Sequence, residues 1–209
     1  MMKCIVIADV ADMRGKSVLV FLRPLRPTRN IRIHAWQVLD LSAGAYASFD
    51  FDTTISACVS ANMRGNSVAS EAVAVTPGEL LQAVRPGGLS PKLMPASDGQ
   101  AIARLTTEQS GVLNMTQPPL PLDCQWRVGG SPVLTVPGVD WGMTCTFEYD
   151  PVMYFMVAAP LLDGENFTVQ TFTDAVPFYP SPDTSVLTVR LYWERNRWLF
   201  DFQSDWQAE

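Results

Sequence analysis

The stretch Ile31–Val59, IRIHAWQVLDLSAGAYASFDFDTTISACV, decides how the chain reads. In Ala45–Asp52, Ala45, Ala47, Phe49 and Phe51 alternate with Tyr46, Ser48, Asp50 and Asp52. That is the two-residue period of a strand with one buried face. Ile31–Leu39 alternates as well, setting Ile31, Ile33, Ala35 and Gln37 against Arg32, His34, Trp36 and Val38. Between the runs, Leu41-Ser42-Ala43-Gly44 suits a tight connection, because glycine takes a positive φ without steric cost. The two runs are therefore expected to form a hairpin, with Arg32, His34 and Trp36 on a half-exposed face.

Outward from this stretch the β signal continues. Lys3–Val10 and Ser17–Leu22 read as strands, the second ended by Pro24, which has no ladder donor. Thr54–Ser60 and Glu71–Thr76 follow around a turn at Asn62–Asn66. Leu80–Val84 reads as a strand or a short helix, and Ala101–Leu105 and Gly111–Met115 as weak strands. Strands are then expected at Trp126–Val128, Val133–Val136, Met143–Tyr149, Val152–Ala158, Phe167–Phe172, Ser185–Trp193 and Arg197–Phe202. Hairpin turns are expected at Asp150-Pro151 and Glu194–Asn196. Proline-rich loops occupy 85–96, 117–123 and 173–183. No long window carries a helical stripe. About a dozen short strands with frequent turns predict a single domain over residues 1–209, an all-β antiparallel sandwich of two sheets with little helix.

Composition narrows the function classes. Of the 209 residues 47% are hydrophobic and 17% charged, too apolar a balance for disorder. No run approaches the roughly 18 apolar residues of a membrane span. The net charge of −6, from 15 Lys+Arg against 21 Asp+Glu, argues against nucleic acid as a partner. In MMKCIVIADVADM the apolar run is short and interrupted by Asp9, so a first strand is expected rather than an export signal. A cytoplasmic chain with reduced Cys4, Cys58, Cys124 and Cys145 follows from that reading. The cysteines are widely spaced with no C-x-x-C, which supports neither a zinc site nor a redox motif.

Several stretches imitate chemistry. CIVIADVADMRGKS ends in Gly15-Lys16-Ser17 like a phosphate loop, but Val10 stands where that motif needs a glycine. The residues after it, Val18–Leu22, are β-prone rather than helical. A turn is expected. The octapeptide recurs, since Ala11–Val18 (ADMRGKSV) and Ala61–Val68 (ANMRGNSV) agree at six of eight positions. The flanks differ, so shared turn chemistry explains the match better than a duplicated domain. Asp50 and Asp52 are read as outward strand positions rather than a calcium or glycosidase pair. His34 is the only histidine, and without a G-x-S-x-G elbow a structural role is preferred to a catalytic one. No catalytic residue, metal or cofactor is expected.

Two surfaces remain. Arg23, Arg26, Arg29 and Arg32 recur every third residue in RPLRPTRNIR, and with Pro24 and Pro27 a polyproline-II segment would align them along one edge. Such an island suits an acidic partner, although pairing with Asp50 and Asp52 is the plainer account. In the C-terminal strands Trp198, Phe200 and Phe202 alternate with Leu199, Asp201 and Gln203 and are expected to face the core. Trp193 and Trp206 fall outside that trio and are the aromatic surface candidates.

The order of features resembles the small bacterial family typified by RhiA, the rhizosphere-expressed protein of nodulating bacteria. The features are the opening Met1-Met2-Lys3 strand, a polar turn, a strand ending in Phe21 with a proline after it, Ala35-Trp36, a glycine turn leading to a strand with Phe49, and a late Tyr-Trp pair. The likeness covers roughly the first 60 residues and loosely the last 25; the arginine-rich loop departs from it, and the middle does not match. The resemblance implies a non-enzymatic cytoplasmic β protein linked to bacterial interaction with a host or community, and carries over no site residues. The expected activity is therefore binding to another protein or to a second copy of itself. The alternative is a carbohydrate- or lipid-surface-binding module of lectin or aegerolysin-like type.

Overall fold

In the computed structural model, residues 1–24, 30–63, 65–97, 105–158, 166–167 and 175–206 are described. Strands β1 (Met2–Ala8), β2 (Ser17–Pro24), β3 (Arg32–His34), β4 (Gln37–Leu39), β5 (Tyr46–Phe51) and β6 (Ile55–Met63) come first. Next are β7 (Asn66–Ala69), β8 (Val73–Ala74), β9 (Leu80–Val84), β10 (Lys92–Pro95), β11 (Gln109–Asn114) and β12 (Leu122–Val128). The last are β13 (Ser131–Val139), β14 (Thr144–Ala158), β15 (Asn166–Phe167), β16 (Val176–Phe178), β17 (Thr184–Glu194) and β18 (Arg197–Trp206). One 3-10 turn, Pro86–Gly88, is the single helical element among the described residues. The fold is all-β, as the alternation predicts.

Contacts divide the chain into two compact units. The first comprises Met1–Leu22, His34–Thr53 and Pro151–Glu209. It holds a sheet in the order β18-β17-β1-β5, and a second group in which β2 lies between β14 and β4 while β16 pairs with β14. The pairing of β1 with β17 is parallel, Lys3 opposite Val186 through Ala8 opposite Leu191. Phe155 from β14 packs against Phe200 and Phe202 from β18, with centroids 6.0 and 5.4 Å apart, and Phe178 stacks on Phe202. The trio Trp198, Phe200 and Phe202 is half-buried, so its inward face is partly covered.

The second unit comprises Arg23–Ile33 and Thr54–Asp150. It sets the order β10-β9-β11-β14 against β3-β13-β12-β6-β7, with β8 also on β6. Its centre is Trp126, fully buried, whose ring stacks on Phe147 at 5.1 Å and whose Nε1 donates to Cys145 Sγ at 3.4 Å. β9 and β11 also run parallel. Strict antiparallel order thus fails at β1–β17 and at β9–β11, each joining strands that are not consecutive in sequence and that no local signal could align.

The expected hairpin of Ile31–Leu39 with Ala45–Phe51 does not form. β5 pairs with β1, β4 with β2, and β3 with β13. The alternation of the first run stops at Ile33, because Ile33, His34, Ala35 and Trp36 are all buried. There the chain changes partners, Trp36 N donating to Val20 O at 2.9 Å. Trp36 packs edge-on against Phe49 and Phe51, each at 5.4 Å. His34 is only 6% exposed, which corrects its half-exposed placement.

Asp150-Pro151 is no hairpin turn either, since β14 runs through it for 15 residues. Its partner changes there from β11, ending at Glu148, to β16, beginning at Met153. A proline between two pairings removes no bond from either ladder. The loop 85–96 contains β10, which ends its strand order and so tolerates Pro95. Likewise β16 lies within 173–183 and β12 begins at Leu122 inside 117–123. Only Val73–Ala74 of the strand expected at Glu71–Thr76 forms. Nearly all of the strands expected at Ala101–Leu105 and Phe167–Phe172 lies outside the described residues.

Candidate functional site

The turn joining β17 to β18 is built from Arg195 and Asn196, both with positive φ (51° and 62°), the geometry that matches a right-twisted hairpin. It sets Trp193 opposite Trp198 and Glu194 opposite Arg197. The two indoles meet edge to face, inclined at 64° with centroids 4.9 Å apart, an arrangement favoured by the ring quadrupoles. Trp193 remains 50% exposed, as its place outside the alternating trio predicts.

A second segment completes this corner. After β1, Asp9 N donates to Leu191 O at 2.8 Å, which carries the parallel ladder one residue further. The chain then turns through Val10–Lys16, with Met13 buried, Gly15 at φ 64° and Lys16 N donating to Met13 O at 3.0 Å. Gly15-Lys16-Ser17 is thus a turn into a strand, not a phosphate loop. Asp12 Oδ1 accepts from Arg14 N and Nε at 2.9 and 3.0 Å, and Oδ2 from Nη2 at 3.2 Å. The Arg14 hydrogen bonds hold the exposed Asp12 carboxyl down at about 2. Lys16 Nζ lies 5.7 Å from the ring centre of Trp198 and donates to Arg14 O at 3.4 Å. A cation over an indole is worth about 0.5–1 kcal/mol at an exposed site. Val10, Ala11, Asp12, Lys16, Trp193 and Trp198 line an open recess of about 280 Å³.

The other expected residues are placed on their own strands where they are described. Arg23 is half-buried at the end of β2, and Arg32 is exposed on β3. Arg26 and Arg29 lie outside the described residues, so the arginine row is not traced as one edge. Trp206 closes β18 opposite Thr184, its side chain outside the described atoms. Asp50 is exposed on β5 opposite Lys3.

All four cysteines are free thiols, and Cys4, Cys124 and Cys145 are buried. Burial pushes the Cys4 thiol up to about 12. The hydrogen bond that the Cys124 thiol donates to the neighbouring Cys145, then burial, raises Cys124 as well. Among the described residues no group of three or more His, Cys, Asp or Glu is placed to hold a metal, and no helix is long and apolar enough to cross a membrane.

Sequence reasoning missed Lys16 as a neighbour of the tryptophans. Its apparent context was a phosphate loop, and the parallel β1–β17 pairing that delivers it leaves no local pattern. Neither a protein-family model, nor a curated protein, nor a solved structure matches this chain.

Proposed function

We propose that this chain is a non-enzymatic binding protein that acts by protein–protein contact, first of all with copies of itself. The observation that carries this reading is β18. It is ten residues long, stands at the end of the order β18-β17-β1-β5, and pairs among the described strands with β17 alone. A long edge strand presents a row of unpaired N–H and C=O groups that templates pairing with another chain. Its exposed side chains, Arg197, Asp201, Gln203, Ser204 and Asp205, are polar and of both charges, which suits a reversible contact better than a permanent apolar one. The free thiols fit the cytoplasmic setting of this proposal. The RhiA-type resemblance adds host or community interaction of a bacterium as its context.

Size-exclusion chromatography with light scattering tests this directly. A defined oligomer, growing with concentration, is expected. Lysines at Gln203 and Ser204, exposed positions where charge blocks edge pairing, are expected to return the chain to a monomer. A wild-type chain that stays monomeric at about 100 μM, in the range of weak contacts, would sink the proposal. A second reading, a carbohydrate-binding sandwich, is favoured by one observation, the tryptophan-lined corner beside Lys16.

A further inference from the structure

We propose that the corner formed by Trp193, Trp198 and the Val10–Lys16 loop is a saccharide site selective for acidic pyranoses, with Trp193 as the stacking platform and Lys16 as partner of the ligand's carboxylate. This rests on the carbohydrate reading and adds the ligand class.

Size sets the first limit. Small-molecule pockets usually span ~300–1,000 Å³, so a corner of about 280 Å³ receives one ring rather than an extended ligand. Shape sets the second. A half-exposed indole inclined at 64° to its neighbour offers an apolar wall to the C–H face of a pyranose.

Charge decides among ring ligands. Both oxygens of Asp12 are taken up by Arg14, so this carboxylate is locally neutralised. Lys16 meets a backbone carbonyl and an indole face, and an ammonium has three protons to donate. The corner is therefore a cationic one. Quaternary ammonium ligands, the usual guests of aromatic cages, would meet Lys16 as a like charge already placed over Trp198. A ring bearing a carboxylate would pair with Lys16 and stack on Trp193 at once. For a ligand of monosaccharide size the ordinary efficiency of drug-sized ligands corresponds to a Kd of about 1 mM.

The test is titration of the full chain, at low salt, with methyl glucuronide and methyl glucoside, which differ only in a carboxylate against a hydroxymethyl group, and with choline. Calorimetry and saturation-transfer NMR read the binding. Methyl glucuronide is expected to bind about fivefold more tightly than methyl glucoside, the upper range for an exposed ion pair. Lys16→Gln is expected to erase that difference, and Trp193→Ala to abolish binding of both, with unchanged circular dichroism in each variant. Equal affinity for the two glycosides in the wild type would overturn the acidic selectivity while leaving a saccharide site standing. No binding of either at about fiftyfold the expected Kd, or a preference for choline, would overturn the site and the carbohydrate reading together.

Discussion

Two aromatic pairs in this chain, each built on a tryptophan, have nearly the same spacing and opposite surroundings. Trp126 and Phe147 stack at 5.1 Å with Trp126 fully buried, while Trp193 and Trp198 meet at 4.9 Å with Trp193 half in solvent. The difference lies in what flanks each strand. β12 has β13 and β6 on its two sides and Phe147 across its inner face. Trp193 stands three residues before Asn196, at the tip of a hairpin whose outer strand is an edge. The ring supplies the same apolar area in both cases. Its strand's neighbours decide whether that area is buried in the fold or left open to solvent.

The comparison breaks or sharpens at four points. Trp126→Ala is expected to cost about 3–5 kcal/mol, the range for emptying a buried aromatic site. Chemical denaturation reads it, and a cost near zero would mean the second unit is not centred on this ring. Cys145→Ala leaves the buried indole N–H of Trp126 without its acceptor, and a loss of about 1–3 kcal/mol is expected in the same assay. Trp193→Ala, by contrast, should cost only about 0.5–1.5 kcal/mol, the worth of one edge-to-face pair at a half-exposed site. A larger loss would make the exposed pair a structural one.

The smallest effect is acid titration of the loop beside that pair. A carboxyl held at about 2 in the folded chain lies below the ordinary Asp value of about 3.9. The folded state then binds fewer protons, so the Arg14 contact contributes at pH above about 4 and fades as pH falls toward 2. NMR titration of Asp12 is expected to show a midpoint well below 3.9. An ordinary midpoint would mean that Arg14 does not hold the loop in solution.

What the sequence showed depended on how local each feature is. The alternation of Ala45–Asp52 is intact, with Tyr46, Ser48 and Asp50 exposed and Phe51 buried, because a strand's two faces are written into consecutive residues. Trp193 was legible as a surface residue for the same reason. Strand partners were not legible. The twin octapeptides make this plain: Gly15 and Gly65 both take positive φ (64° and 85°), as a shared turn chemistry requires. The second closes a tight hairpin, Met63 opposite Asn66. The first links β1 to β2, strands that take different neighbours. Eight residues set the turn, and distant strands set what it joins. The corner at Lys16 depends on such a distant pairing, so sequence could name Trp193 but not what faces it.

The parallel neighbour of β1 has a consequence for how the molecule is made. Lys3 pairs with Val186, so β1 leaves the ribosome long before the neighbour it pairs with. At ordinary synthesis rates of ~5–20 residues per second the gap lasts roughly 10 to 40 s. Within it, all of Thr54–Asp150 has been made, and the second unit can assemble around Trp126. β1 meanwhile has only β5 beside it and one open apolar side. A nascent chain of this topology is thus open to chaperones, and to mispairing with a neighbouring nascent copy, until β17 arrives.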